Sequence, residues 1–341
     1  MGLFNFTQEI AIDLGTANTI IISNDKVLID EPSYIALDAR TNKVMAVGKK
    51  AKMMDERGDV SKVRVVRPLR EGVIADFEAC ELMMREMIHM LPNKSHFFNN
   101  SLKMVVCIPS GSTEVEKRAV QDSSERSGGR NVFMIYEPMA AALGIGIDVE
   151  APSGSMIVDI GGGTSEIAVI SLGSIVTNKS IKTAGDDFNE DIVEHMARMH
   201  NMRIGSPTAE RIKVAVGAAL TELDDAPEDF IVRGPNRMTA LPMEVPVSYQ
   251  EIAHCLEKSI TKIENAVLTA LENTPAELYS DIVDRGIFLT GGGALLRGLD
   301  KRLTNKINIQ FHVAEAPLLA VARGTGIALK NAEKYSFLMR S

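Results

Sequence analysis

Short apolar runs that stop at an aspartate and a glycine-rich turn recur along the chain, and the remaining pattern is arranged around them. Met156, Ile157 and Val158 form one such run; Asp159 ends it, Gly161-Gly162-Gly163-Thr164-Ser165 turn the chain, and Ile167 to Ile170 begin a second run. A brief unbroken apolar stretch bounded by turn residues is the mark of a buried strand, so this segment is predicted to be a hairpin with an acidic tip. Near the N-terminus the pattern is repeated: Ile10-Ala11-Ile12 leads to Asp13, then Leu14-Gly15-Thr16-Ala17-Asn18-Thr19, then Ile20-Ile21-Ile22. An internal repeat of this kind suggests two related domains facing each other across a shared site.

The intervening pattern alternates strands and helices. Ile20 to Ser23 and Val27 to Ile29 flank Asn24-Asp25-Lys26, a hairpin signal. Glu31-Pro32-Ser33 breaks the pattern, and the strand pair Tyr34–Leu37 and Val44–Val47, with charged helix and loop from Lys49 to Arg64, reads as a small insertion over about 31–66. Pro68 to Asp76 enters a helix from about Phe77 to Leu91, stopped by Pro92. Leu102 to Ile108 is a strand, Glu114 to Ser127 a helix, Val132 to Ile135 a strand, and Glu137-Pro138 opens a helix with proline in its first turn. Such alternation indicates an α/β domain with a covered sheet. In the second half, Ser174 to Ile181 extends the hairpin. Helices are expected from Phe188 to about Asn201, from Thr208 to Leu223, and, as one long element, from Gln250 to about Glu272. Residues 225–247, with prolines at 227, 235, 242 and 246, read as short strands and turns. A third turn, Thr290-Gly291-Gly292-Gly293-Ala294, follows the strand Gly286–Leu289 and is expected to feed a helix carrying Leu295, Leu296 and Leu299; a last helical segment spans Leu318 to Gly326.

Composition narrows the class. The 341 residues leave room for two domains, and 45% apolar with 24% charged residues is ordinary for a soluble globular protein. A net charge of -8 argues against nonspecific nucleic-acid binding through phosphate contacts. The three cysteines, Cys80, Cys107 and Cys255, are widely spaced and read as reduced thiols of a cytosolic protein. No apolar run is long enough to span a membrane, and the N-terminus lacks the pattern of a secretory signal. Eighteen methionines with no tryptophan read as adaptable core packing. Two apolar features are left over: Met1 to Phe6, read as docking on the first domain with a membrane surface as the alternative, and Phe97-Phe98 at the tip of a polar loop with little to bury them, which suggests a lipid or protein contact.

Glycines after a strand let the backbone approach a ligand, and their N–H groups form an anion-binding concavity. Two such turns facing each other would grip a polyphosphate from both sides. Asp13 and Asp159 at the tips would repel phosphate directly but suit magnesium, which takes one or two carboxylates and keeps its waters. No G-x-x-x-x-G-K-[ST] loop is present, and the turn after Asp159 leads to a strand, so neither a Walker nor a Rossmann site is encoded.

The three turns, in this order, resemble the two phosphate motifs and the adenosine motif of the superfamily of actin, heat-shock chaperones and sugar kinases. More closely, I-D-L-G-T-A-N-T from Ile12, P-L-R-E-G-V-I-A-D from Pro68, E-P-M-A-A-A from Glu137, V-D-I-G-G-G-T-S-E from Val158, A-E-R-I-K from Ala209 and R-G-I-F-L-T-G-G-G-A-L-L-R from Arg285 resemble the MreB family of bacterial actins. The resemblance implies an actin-like ATPase fold: two lobes with duplicated mixed-sheet cores flanked by helices, each bearing a small inserted subdomain, around a nucleotide cleft. Residues 1–145 with 316–341 would form one lobe (insertion about 31–66), and 146–315 the other (insertion about 182–247). It implies ATP and Mg2+ as cofactors. Gly15, Thr16, Ala17 and Asn18 would meet phosphate from one side and Gly161, Gly162, Gly163 and Thr164 from the other, with Asp13 and Asp159 around magnesium, through water. Glu210, Arg211, Ile212 and Lys213 would lie along the nucleoside, and Gly291, Gly292, Gly293, Ala294 and Leu295 along the adenine. Glu137 would position the attacking water, with Thr164 opposite. The family's partners would be further copies of the chain in filaments or paired protofilaments, the inner face of the cytoplasmic membrane, through Phe97 and Phe98, and membrane proteins of cell-wall elongation. The sequence departs from the family pattern at Tyr136, where a second acid is common, and at Ser165, where a second threonine is usual. A metabolic kinase of the same superfold would need an acceptor pocket with a catalytic base, which no motif supplies; a nucleotide-gated chaperone would bind a client without self-assembly.

Overall fold

The computed structural model describes residues 8–57, 61–92 and 102–340. Met1 to Phe6 and the Phe97-Phe98 loop lie outside the described residues. Each Asp-turn sits on an inner strand of its own sheet. In the first sheet the strand order is Met339–Arg340, Gly129–Tyr136, Leu102–Ile108, Gln8–Leu14, Asn18–Ser23, Lys26–Pro32. In the second it is Phe311–Val313, Ile287–Thr290, Ser155–Ile160, Ser165–Ser171, Ser174–Ile181. The topologies match. In each, the strand carrying the aspartate is antiparallel to the strand that follows its turn and parallel to the neighbour on its other side. The central strands of the second sheet are buried along their whole length, which is why they appear in the sequence as continuous apolar runs.

The helix Glu137–Gly144 lies between the two sheets. Its Ala140, Ala141 and Ala142 share one apolar cluster with Ala11 and Val105 of the first sheet, Ile157 and Ile170 of the second, and Val321 and Ala328 of the helix Ala320–Lys330. The two helices cross where only glycine fits. A Cβ on Gly324 would stand 1.7 Å from the Ala140 carbonyl oxygen, and one on Gly144 1.9 Å from that of Ala320. This crossing fixes the start of the helix, and with it Glu137, at the floor between the lobes.

Smaller units extend from both sheets. In the first lobe, Ile35–Asp38, Val44–Val47 and Val63–Val66 form a three-stranded sheet beside the helix Gly48–Arg57. In the second, Phe230–Pro235 pairs with Pro242–Val247 near the helices Gly185–Met199 and Ser206–Val216. Asn24 and Asp25 both have positive φ, 50° and 60°, the geometry of a two-residue hairpin loop.

Three expected helices differ. The helix expected to reach Leu223 stops at Val216, because Gly217 turns extended and Ala219 N–H donates to the Arg297 carbonyl at 2.8 Å. The long helix expected from Gln250 is two, Tyr249–Cys255 and Glu257–Glu272, joined at Leu256; Ser248 Oγ caps the first by accepting from Glu251 N–H at 3.2 Å. After the third glycine turn only a single 3-10 turn forms, Gly292–Leu295; Leu296 is extended and the α-helix begins at Leu299. In the first case an apolar spacing compatible with a helix is overruled by backbone pairing with a distant segment.

Candidate functional site

A cavity of about 510 Å³ separates the lobes, and the repeated turns form its walls. Asp13, Gly15, Thr16, Ala17 and Asn18 line it from the first lobe, with Glu137. Asp159, Gly161, Gly162, Gly163, Thr164, Glu210, Lys213, Gly291, Gly292, Gly293 and Leu295 line it from the second. Three of the expected residues do not. Helical geometry turns Glu210 and Lys213 toward the cavity, and so sends Ile212 into the core and Arg211 to the surface, where its Nη2 donates to Thr208 Oγ1 at 3.1 Å. Ala294 is buried beneath the 3-10 turn.

The two phosphate-type turns meet. A Cβ on Gly162 would lie 2.7 Å from the Ala17 Cβ, and one on Gly163 2.7 Å from Thr16 Oγ1. The second turn is closed by a hydrogen bond from Gly161 N–H to the Thr164 carbonyl at 2.9 Å, and Asp186 N–H, in the first turn of the helix Gly185–Met199, donates to the Gly162 carbonyl at 2.7 Å. Gly72 N–H donates to Thr16 Oγ1 at 3.0 Å, so the P-L-R-E-G segment braces the first turn.

Carboxyl groups gather at this meeting point. Burial pushes Asp13 up to about 6, a hydrogen bond from Cys107 Sγ at 3.1 Å opposes the rise, and the charge of Asp30 adds to it. Asp159 is pushed up to about 7, again first by burial; Thr290 Oγ1 donates to it at 2.7 Å and restrains the shift, while Asp13 and Glu166 add to it. Glu137 stands well above the usual carboxylate range, through burial and then the charges of Glu166, Asp159 and Asp13. Acids this close favour their protonated forms until a cation neutralises them. The donor set is oxygen, apart from a buried Cys107 thiol pushed well up by burial and so kept neutral; that suits a hard cation such as magnesium.

At the other end of the cavity, burial alone would raise Glu210, but the charge of Lys213, hydrogen bonds from Lys213 and Asn189, and the charge of Lys52 together outweigh it and hold the carboxyl below its ordinary value. Glu210 Oε2 accepts from Lys213 Nζ at 2.8 Å and from Asn189 Nδ2 at 2.7 Å. An ionised, half-buried carboxylate of this kind accepts hydroxyl or amino hydrogens.

Contacts that tie one lobe to the other, from Arg67 to Asp186 and from Ser110 to Glu166, escape the sequence reading. Arg67 Nη2 donates to Asp186 Oδ2 at 2.7 Å and to the Thr16 carbonyl at 3.3 Å. Glu166, fully buried opposite Asp159 in the hairpin, accepts from Ser110 N–H at 3.0 Å, from Ser110 Oγ, and from Ser180 Oγ at 2.5 Å. A charged residue at the second position of an otherwise largely apolar strand is the one available signal, at Glu166.

Comparison with known proteins decides the family. The sequence model described as MreB/Mbl protein matches residues 7–337. The chain belongs to the MreB/Mbl family. Within that family it is 43% identical over 330 residues to the cell shape-determining protein Mbl of Bacillus subtilis (strain 168), covering 96% of this chain and 98% of the relative. It is 43% identical over 330 residues to the cell shape-determining protein MreB of Escherichia coli (strain K12), covering 95% and 94%. The crystal structure of MreB5 of Spiroplasma citri bound to AMPPNP superposes with a TM-score of 0.90 at 35% identity over 96% of this chain and 98% of that one. The same Spiroplasma protein is also known bound to ADP, with a TM-score of 0.90. The MamK double helical filament subunit, at 18% identity and a TM-score of 0.78, shares the actin-like fold.

Proposed function

We propose that this MreB-family chain is a cytoskeletal ATPase that binds Mg-ATP between its lobes, polymerises in that state and is weakened as a polymer by hydrolysis. The observation that carries the reading is the contact of the two glycine turns over a shared set of acids. Thr16, Ala17 and Asn18 on one side and Gly162 and Gly163 on the other offer backbone N–H groups to a polyphosphate, while Gly161 N–H closes the turn on the Thr164 carbonyl; closing the turns on the ligand closes the lobes. Asp13 and Asp159 would hold magnesium, through water; when bound, the ion neutralises phosphate and carboxylate charge together. Glu210 and Lys213 suit the nucleoside, and the turn Gly291–Gly293 with Leu295 suits the base. AMPPNP and ADP in the Spiroplasma relative support a nucleotide in this cleft.

Glu137, held protonation-prone by burial, is suited to orient the attacking water and take its proton, with Thr164 across the cavity. The lobes are taken as 1–145 with 316–341, and 146–315. Attachment of the strand Met339–Arg340 to the first sheet, and packing of Ala320–Lys330 on Glu137–Gly144, support giving the C-terminal segment to the first lobe. The names of the MreB and Mbl relatives support a role in cell shape. With it go assembly at the inner face of the cytoplasmic membrane, with Phe97 and Phe98 as a contact, and partnership with membrane proteins of cell-wall elongation. No helix among the described residues is long and apolar enough to cross a membrane. Many weak contacts in one filament would supply attachment that a single subunit lacks.

Light scattering should rise above a critical protein concentration when ATP and Mg2+ are added, and electron microscopy on liposomes should find filaments on the lipid. A chain that stays monomeric with ATP, Mg2+ and lipid would overturn the proposal. Asp159→Ala should abolish the metal-dependent signal.

A further inference from the structure

A second cluster of ligating side chains lies in the second lobe, among residues that do not line the interlobe cavity. His195, in the last turns of the helix Gly185–Met199, His200 at that helix's C-cap, and Glu251, in the first turn of the helix Tyr249–Cys255, converge from two elements. Glu251 Oε1 contacts His195 Nε2 at 2.6 Å and also His200 Nε2. The available ligand atoms of all three lie within 4.8 Å of one another. His195 is only 8% exposed, and the two rings meet edge to face with centroids 6.0 Å apart.

We propose that His195, His200 and Glu251 form a binding site for a zinc-class divalent cation. Two imidazole nitrogens and one carboxylate oxygen are the donor set of zinc sites with three protein ligands, which keep one coordination position open. Imidazole favours zinc and its transition-metal neighbours, whereas magnesium prefers oxygen, so the site selects a different ion from the acids of the interlobe cleft. The backbone around it is already organised: Ser248 Oγ caps the helix at Glu251, and the His200 N–H closes its own helix on the Met196 carbonyl at 3.2 Å. A bound cation ties the end of one helix to the start of another and stiffens the second lobe.

The test uses the full chain with Mg2+ and ADP in excess, so that the cleft acids are occupied, and Zn2+ titrated in competition with a chromogenic chelator. One zinc per chain is expected, with a rise in melting temperature. His200→Gln and Glu251→Gln should each weaken binding by more than the roughly 10–100-fold that loss of a supporting group causes. They should also remove the zinc-dependent rise in melting temperature while leaving the circular dichroism of the metal-free chain unchanged. Two substitutions at different elements keep the test decisive should one of them fail to fold. Co2+ in place of Zn2+ should give the visible absorption of a tetrahedral nitrogen and oxygen site, lost in the same variants. No stoichiometric zinc, or zinc bound equally by wild type and both variants, overturns the proposal and leaves the cluster as a hydrogen-bonded His-Glu-His brace.

Discussion

Replacing Gly162 by alanine tests whether contact of the two glycine turns is what couples ligand to lobe closure. The new Cβ would stand 2.7 Å from the Ala17 Cβ and 3.1 Å from the Ala17 nitrogen. Carbon atoms in good contact sit roughly 3.5–4.0 Å apart, so the turns must separate by about 1 Å. A misplacement of that size in a binding constellation costs about 100-fold, or roughly 2.7 kcal/mol. Nucleotide affinity, measured by titrating a fluorescent ATP analogue with Mg2+, should fall by that factor, and the critical concentration for assembly should rise with it. Each lobe keeps its own core, so the far-ultraviolet circular dichroism should be unchanged. Gly161 provides the internal control, because a Cβ there would meet only the Thr164 carbonyl oxygen, at 3.3 Å. Gly161→Ala should therefore bind nearly as wild type. Wild-type affinity in Gly162→Ala, or equal losses in both variants, would refute the reasoning.

Gly324→Ala drives a Cβ to 1.7 Å from the Ala140 carbonyl oxygen and should destabilise the fold by about 1–3 kcal/mol or more, read as a lower thermal midpoint; an unchanged melt would contradict the close crossing. Glu137→Ala should retain nucleotide binding and lose about 10²–10⁴-fold in phosphate release, and a variant that hydrolyses ATP normally would remove Glu137 from the chemistry. In EDTA and without nucleotide, stability should decline as pH rises from about 4 toward 7. The folded chain holds protons on Asp13 up to about 6 and on Asp159 up to about 7, whereas the unfolded chain releases them near 3.8. Melts across that window check the slope, and Mg2+ with nucleotide should flatten it.

Local sequence determined the strands and the turns between them. A strand buried on both faces must be apolar throughout, and a chain that reverses against a ligand or another turn must be glycine at the point of approach; both leave marks within a few residues. Asp13, Asp159, the three glycine turns and the helix opened by Glu137-Pro138 were legible for that reason. Helix lengths were less so. Ile212, Ala215, Val216 and Leu220 satisfy a helical period whether or not the helix continues, and it is the pairing of Ala219 with Arg297, far along the chain, that ends it. The same limit applies to the cavity wall: the apolar period already places Ile212 in the core, but that Glu210 and Lys213, and not Arg211, face the cavity follows only from how the helix packs on Gly185–Met199.

What tertiary structure alone decided is what crosses between distant segments. The hydrogen bond from Arg67 to Asp186 spans 119 residues, that from Ser110 to Glu166 spans 56, and the His195, His200 and Glu251 cluster joins two helices that carry no shared motif. Nothing near any of these residues in the chain marks its partner, since a side chain's charge or ligating atom constrains what must stand opposite it but not where in the sequence that group comes from. The acids show the same division. Their positions at the tips of the turns were written locally, but their departure from ordinary ionisation follows from burial and mutual approach, which exist only once the two lobes have closed on one another.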